Sequence, residues 1–209
     1  SPAQADGAIT IAADSDGHIY LGGFSGPAAM IAQYTEEGAL MWQRQCDFSE
    51  AEARIHSLTL DSEGHLLGVA QGLNPPGVDT RIGVAFKYDP ASNTLLWTQR
   101  LGGRCIPKYG MVHPLNGNFL VAGSVETEGG LSNALLLELE PDDGSILWER
   151  QLQRGNSATY NALAFANNTL YATGRYEFPV GFDKMRVISA AFETDGSDRW
   201  QQRYLYPIG

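Results

Sequence analysis

Alternating apolar and polar residues recur along the chain in short stretches, and a turn sequence bounds each stretch. In the first repeat, Ala8 to Ala13 alternates, Asp14 to Gly17 supplies an Asp-Gly turn, and His18 to Phe24 forms the next stretch. An Asp-Gly pair in this position is a strong β-hairpin signal, because glycine reaches the positive φ that the tight turn requires. A short link and two further stretches follow, so the pattern predicts four antiparallel strands in the first quarter of the chain.

The same plan recurs three more times, and the four tryptophans of the chain mark its period. Each tryptophan stands four residues after a glycine or an asparagine, in the fourth predicted strand of a repeat. These frames start at Gly38, Asn93, Gly144 and Gly196 and end at Trp42, Trp97, Trp148 and Trp200. The tryptophans are separated by 55, 51 and 52 residues, so chance is a poor explanation and the chain reads as four copies of one unit.

A repeat of about 50 residues with four strands is typical of a β-propeller blade, a sheet that must stack on its neighbours to bury its faces. The sequence therefore predicts an all-β fold, a β-propeller of four four-stranded antiparallel blades in a single domain over residues 1–209. The blades span approximately residues 8–46, 54–103, 109–153 and 159–206. A β-sandwich of many short strands is the alternative, but a sandwich does not require the same tryptophan in every fourth strand.

How such a ring would close is left open by the sequence. Every repeat begins with its innermost strand and ends with its outermost strand, so no split blade offers closure by strand exchange. Three arrangements remain: closure on four blades, completion by a second chain, or membership of a longer protein of which this sequence is a piece. The chain starts at Ser1 without a methionine, as a processed form or an excised piece would.

The repeated glycines and tryptophans are interpreted as scaffold. The outermost strands splay away from the ring axis, so the gap to the next blade is widest there and needs the largest side chain. A tryptophan buries on the order of 200 Å², which at about 25 cal/mol per Å² stabilises the junction by several kcal/mol. The glycine four residues earlier lets the backbone turn sharply under the indole.

Charge and composition argue against several classes of function. The chain has 14 basic and 24 acidic residues, a net charge of −10, which opposes binding to nucleic acid or to anionic lipid heads. No apolar run approaches the roughly 18 residues that a membrane-spanning helix needs, so membrane insertion is not expected. The two cysteines, Cys46 and Cys105, lack metal-ligand spacing. Both follow a repeat tryptophan, and they can pair only if their Cα atoms lie within about 7 Å.

The chain carries no recognisable catalytic motif. It contains no Gly-x-Ser-x-Gly sequence, no cysteine with a plausible histidine partner and no glycine-rich phosphate loop. The turn from Asp14 to Gly17 has part of a calcium-loop pattern but lacks the downstream glutamate, and a hairpin turn explains it as well. We therefore predict no catalytic residue, no metal ligand and no cofactor.

Candidate ligand contacts come from the segments in which the repeats differ, because shared positions build the scaffold and variable loops carry function. The connections between second and third strands, residues 25–27, 72–80, 124–133 and 175–183, share one face, here called the loop face. The last connection has three aromatic residues and both charges, which suits a protein or glycan contact; alternatively, its aromatics pack on the first blade and close the ring. A histidine on an innermost strand can also face the channel. The predicted contacts are Arg175, Tyr176, Phe178, Phe182, Asp183 and His56.

Two segments carry a family resemblance. The hairpin from Asp14 to Gly23 and the turn and strand from Leu139 to Trp148 resemble the bacterial SBBP β-propeller repeats. The four tryptophan frames are similar to the tryptophan-docking motif of quinoprotein-type propellers. The resemblance implies an exported bacterial protein that is secreted, on the cell surface or periplasmic, usually without assigned enzyme activity. Such propellers commonly carry six to eight blades, whereas this chain has four repeats.

Three functional hypotheses follow. The first is a non-enzymatic binding or scaffold module that contacts a protein or glycan through the loop face, as a monomer or homodimer. The second is a propeller enzyme that acts on glycans as a hydrolase or lyase, and it requires a cluster of carboxylates with raised pKa values at the channel mouth. The third is a half-propeller that dimerisation completes.

Overall fold

The computed structural model describes residues 6–48, 51–73, 81–153, 157–177 and 185–204, and regular structure in these ranges consists of sixteen strands. The strands form four four-stranded units. Unit one contains β1 (Asp6–Ala13), β2 (Ile19–Ser25), β3 (Ala28–Tyr34) and β4 (Leu40–Cys46). Unit two contains β5 (Glu52–Leu60), β6 (Leu66–Leu73), β7 (Arg81–Asp89) and β8 (Thr94–Leu101).

Units three and four complete the chain. Unit three contains β9 (Arg104–Val112), β10 (Phe119–Glu126), β11 (Ser132–Leu139) and β12 (Ile146–Leu152). Unit four contains β13 (Ser157–Ala166), β14 (Thr169–Glu177), β15 (Met185–Phe192) and β16 (Asp198–Tyr204). Within the described ranges no helix is long and apolar enough to cross a membrane.

Strands pair antiparallel in chain order inside every unit. Units three and four also share a backbone link, because Ser132 of β11 pairs in parallel with Ser157 of β13. The all-β class and the four-stranded sheets predicted from the alternation are therefore present, and the first strands of successive units pack against each other along the row.

The first strand of each unit contains one extra residue that interrupts its register with the second strand. These bulge residues are Ile9, His56, Lys108 and Asn161. In three units a glycine of the second strand lies beside the bulge. A Cβ atom on Gly23 or on Gly174 would lie only 1.9 Å from a carbonyl oxygen of the first strand, so glycine is required for this close backbone approach.

In the described ranges the core consists of three hydrophobic clusters, and each lies between consecutive units. Ile31 and Ile55 belong to the cluster between units one and two, Val69 and Val121 to the next, and the third joins units three and four. Among the described residues no cluster joins unit four to unit one. The sheets form an open row, so the closure on four blades that the sequence allowed is not seen in this part of the chain.

The two cysteines lie in different clusters. Cys46 packs between units one and two, Cys105 packs between units two and three, and both are free and buried. Burial raises the pKa of Cys46 to about 11 and that of Cys105 to about 12, so both are protonated thiols at neutral pH. The pairing that the sequence left open is not formed.

Candidate functional site

A cavity of about 350 Å³ opens on the loop face, where the ends of strands from units two, three and four meet. It is an open pocket of the size that small ligands occupy in proteins. Hydroxyl and amide groups form much of its wall. They belong to Gln71, Ser124, Ser132, Ser157 and Thr159.

Three cationic side chains line the same cavity. Arg81 is the first residue of β7, Lys108 is the bulge residue of β9, and Arg175 lies near the end of β14. Lys108 is half-buried, and it makes no ion pair or hydrogen bond with another described residue. Burial lowers its pKa, and the charges of Arg175 and Arg81 lower it further. The cavity thus concentrates positive charge in a chain whose net charge is −10.

A second cavity of about 360 Å³ adjoins the first and shares Gln71 and Arg81 with it. Its wall includes His56, the bulge residue of β5. Burial lowers the pKa of His56 to about 4, the charge of Lys108 adds to this, and a hydrogen bond with Gln71 opposes it. The imidazole is therefore neutral at pH 7, and it can accept or donate one hydrogen bond. Arg54 in the same wall lowers the pKa slightly more.

The predicted contact residues have different positions in the structure. Arg175 lines the first cavity and His56 the second. Tyr176 is only 1% exposed and belongs to the cluster between units three and four, because side chains alternate along β14 and its ring points to the opposite face from Arg175. Phe178, Phe182 and Asp183 lie outside the described residues.

Among the described residues of this face, carboxylates are few. Glu177 lines the first cavity and Glu52 the second. In the described part of the chain, every carboxyl group with a shifted pKa has it lowered, as at Asp143, where the backbone N–H of Ser145 donates to the carboxylate. The other groups are Asp14, Glu37, Asp61, Asp89 and Asp195. A lowered pKa is typical of a carboxylate that accepts hydrogen bonds in a turn, whereas a general acid needs a raised pKa.

One cluster of metal-ligand types occurs at the turn of unit two, where oxygen and nitrogen atoms of Asp61, Glu63 and His65 lie within 4.8 Å of one another. However, Lys87 Nζ already lies 3.0 Å from Asp61 Oδ2, and both side chains are almost fully buried. Asp61 also accepts the backbone N–H groups of Glu63 and His65. The ammonium group of Lys87 occupies the position beside Asp61 that a cation would take, and the cluster closes a hairpin turn.

Sequence reasoning missed the two cations that complete the first cavity. Arg81 and Lys108 are 27 residues apart and Arg175 is 67 residues further on, so no basic cluster is visible along the chain. One signal could have indicated Lys108. It occupies the same position in its repeat, the bulge of the first strand, as His56 does in the preceding unit.

The chain is similar to proteins of several kinds. The family model described as outer membrane protein assembly factor BamB matches residues 81–205, more than half of the chain. No curated protein matches this chain.

Many solved structures are similar to this chain. A Hadza microbial sialidase has a TM-score of 0.64 at 11% identity, over 97% of this chain and 46% of that one. A gluconolactonase from Xanthomonas campestris has a TM-score of 0.56 at 16% identity, over 99% and 65%. Apo AztD from Citrobacter koseri has a TM-score of 0.55 at 14% identity, over 94% and 47%. The chain thus spans about half to two thirds of these proteins, and at such identities the likeness establishes a β-propeller type of fold.

Proposed function

Because the chain belongs to the family described as outer membrane protein assembly factor BamB, we propose that it is a four-bladed β-propeller segment acting as a non-enzymatic binding module of an exported bacterial protein. Its ligand is a glycan that carries an acidic group, and the ligand binds in the 350 Å³ cavity of the loop face. The observation that carries this proposal is the convergence of Arg81, Lys108 and Arg175 on one cavity.

The charges favour an anionic ligand. Lys108 is half-buried beside two guanidinium groups, and burial, together with their repulsion, lowers its pKa. An anion in the cavity would replace this repulsion by attraction, and charge-assisted hydrogen bonds to a carboxylate or sulfate are stronger than neutral ones. A neutral ligand would not gain this attraction, so the site favours negatively charged ligands over neutral ones.

The wall favours a sugar as the body of that ligand. Side-chain hydroxyls of Ser124, Ser132, Ser157 and Thr159 surround the cations, and hydroxyl groups both donate and accept hydrogen bonds. Sugar hydroxyls have the same capacity, whereas a peptide would present few groups of this kind. An acidic peptide is therefore the weaker candidate, and it serves as a comparison ligand.

Titration calorimetry tests the proposal with oligosaccharides that contain hexuronic acid, with their neutral counterparts and with a glutamate-rich peptide. We expect the acidic oligosaccharide alone to bind measurably, and Lys108→Met to weaken its binding at least roughly tenfold, about 1.4 kcal/mol. The variant should unfold at or above the parent's temperature because charge repulsion has been removed.

Arg100→Gln is the matched control, since it removes one positive charge from the exposed outermost strand of unit two. It should bind like the parent. Equal binding of neutral and acidic sugars, or equal losses in the two variants, would contradict the proposed site.

A glycan-active enzyme is the second candidate, and one observation favours it: Glu177 lines the cavity two residues along β14 from Arg175. Glu177→Gln separates the two functions. A binding module should hold the acidic sugar as tightly or more tightly, because a negative charge is lost, and should release no product. Turnover by the parent that Glu177→Gln abolishes would replace the binding module by a hydrolase or lyase.

A further inference from the structure

The two cavities of the loop face lie side by side and form one groove. Their volumes are about 350 and 360 Å³, and Gln71 and Arg81 line both of them. The described residues that line the groove all lie on β5 to β14, so neighbouring strands inside units two to four set its shape. Small ligands occupy cavities of about 300–1,000 Å³ in proteins, and a ligand longer than the first cavity can extend into the second.

Contacts between units two and three hold the boundary of the two cavities. His56 and Lys108 are the bulge residues of their strands, and His56 lines the second cavity while Lys108 lines the first. Ser57, next to His56, donates its hydroxyl group to the carbonyl oxygen of Gly110 at 3.3 Å. The charge of Lys108 acts on His56 and lowers its pKa, as expected for neighbouring side chains. A ligand that contacts Lys108 therefore has the second cavity within reach.

The second cavity differs from the first in its balance of charge. In the first cavity three cations accompany one carboxylate, that of Glu177. In the second, Arg54 Nη2 lies 3.7 Å from Glu52 Oε2, and the Arg54 guanidinium also lies 4.4 Å from the ring centre of Phe24. Among the described residues of this wall, Arg54 and Glu52 thus offset each other, and Arg81 contributes the remaining charge.

Uncharged hydrogen-bonding groups complete the wall of the second cavity. The imidazole of His56 is neutral at pH 7, because burial lowers its pKa to about 4, so one ring nitrogen donates and the other accepts. Gln71 hydrogen-bonds with His56, and its amide also both donates and accepts. Sugar hydroxyls have the same capacity. A carboxylate bound here would instead lie close to Glu52, and like charges repel.

We propose that the second cavity is a second sugar-binding subsite, which holds an uncharged sugar joined to the acidic sugar in the first cavity. The subsite depends on the proposed function, because the acidic sugar beside Lys108 sets the position of its neighbour. The ligand is therefore a glycan in which acidic sugars have uncharged neighbours, and a chain of hexuronic acid alone is a poorer ligand.

Titration calorimetry with three saccharides measures the length and the charge that the groove prefers. They are a methyl hexuronide, a trisaccharide with hexuronic acid between two neutral hexoses, and a trimer of hexuronic acid. We expect the mixed trisaccharide to bind roughly tenfold more tightly than the methyl hexuronide, because it adds hydrogen bonds in the second cavity. It should also bind roughly fivefold more tightly than the trimer, because only the trimer places a carboxylate beside Glu52.

Two substitutions separate the contribution of the second cavity from that of the first. His56→Ala should weaken binding of the mixed trisaccharide roughly fivefold more than binding of the methyl hexuronide, because the imidazole contacts the added sugar. Glu52→Gln should strengthen binding of the trimer roughly fivefold relative to the mixed trisaccharide, since the opposing carboxylate is removed. Glu63→Gln is the matched control, because it removes the same charge from the exposed turn between β5 and β6. It should leave the relative affinities of the three saccharides unchanged.

The possible failures are distinguishable. A mixed trisaccharide that binds no more tightly than the methyl hexuronide would overturn the second subsite and leave the acidic site in the first cavity intact. A trimer that binds most tightly of the three would overturn the preference for an uncharged neighbour. If none of the three saccharides binds, the proposed function itself is wrong, and the second subsite with it.

Discussion

The junction between units three and four and the outer end of unit four present the same tryptophan frame in two environments. Trp148 packs on Gly196 and belongs to the edge of a hydrophobic cluster, whereas Trp200 is 42% exposed. Sequence spacing, strand and turn chemistry are alike in both. The comparison teaches that the frame encodes one half of a contact, and that only a following unit gives it a stabilising role.

The largest expected effect is on the inner tryptophan. Trp148→Ala should lower the free energy of unfolding by about 3 kcal/mol, because it removes a large side chain from a junction that cannot collapse. Trp200→Ala should cost less than about 1 kcal/mol at concentrations where the chain is monomeric. Urea unfolding of the two variants measures the difference, and equal losses would break the comparison.

Alanine substitutions at the turn glycines are expected to change stability by a smaller amount, and Gly38 serves as the control for Gly196. Gly196 and Gly38 both have positive φ, +77° and +83°, so alanine costs about 1 kcal/mol at either position. Gly196→Ala should lose about 2 kcal/mol more, because the new methyl group overlaps the indole of Trp148. Thermal unfolding of both variants isolates the indole contact, and similar melting temperatures would mean that the indole moves away at little cost.

The bulge residues extend the comparison to the pH dependence of stability. At the open end Ile9 is exposed, whereas His56 at the inner position is half-buried with a pKa of about 4. Because this lies below the unfolded value of about 6.5, the unfolded chain gains a proton first as the pH falls. Stability should therefore decrease by about 2 kcal/mol between pH 6.5 and 5, and be unaffected by His56 above pH 7.

Denaturant unfolding at several pH values measures this dependence. His56→Gln should flatten the decrease between pH 6.5 and 5, since glutamine does not titrate. The measurement stops at pH 5. Under more acidic conditions, protonation of turn carboxylates with a lowered pKa, such as Asp61, also reduces stability. An unchanged slope in the variant would assign the pH dependence to other groups.

Much of the fold could be predicted, while the candidate site could be predicted only in part. Alternation and turn glycines located the strands because their period depends on backbone geometry alone. Arg175 was found because its loop differs between repeats, whereas Arg81 and Lys108 looked like isolated charges within strands. The matched family is described by BamB, so the resemblance to SBBP repeats stays a prediction, as do an exported location and a protein or glycan partner.

The sequence by itself determined the repeating unit, because hairpin turns and apolar alternation are local and survive in any arrangement of the sheets. The tertiary structure alone decided which copies of that unit are equivalent. It half-buried Trp148 and left Trp200 exposed, covered Gly196 and left Gly38 open, and brought Lys108 to Arg81 and Arg175. These differences depend on which surface has a neighbouring unit within this chain, and the repeated pattern is the same whether or not a neighbour is present.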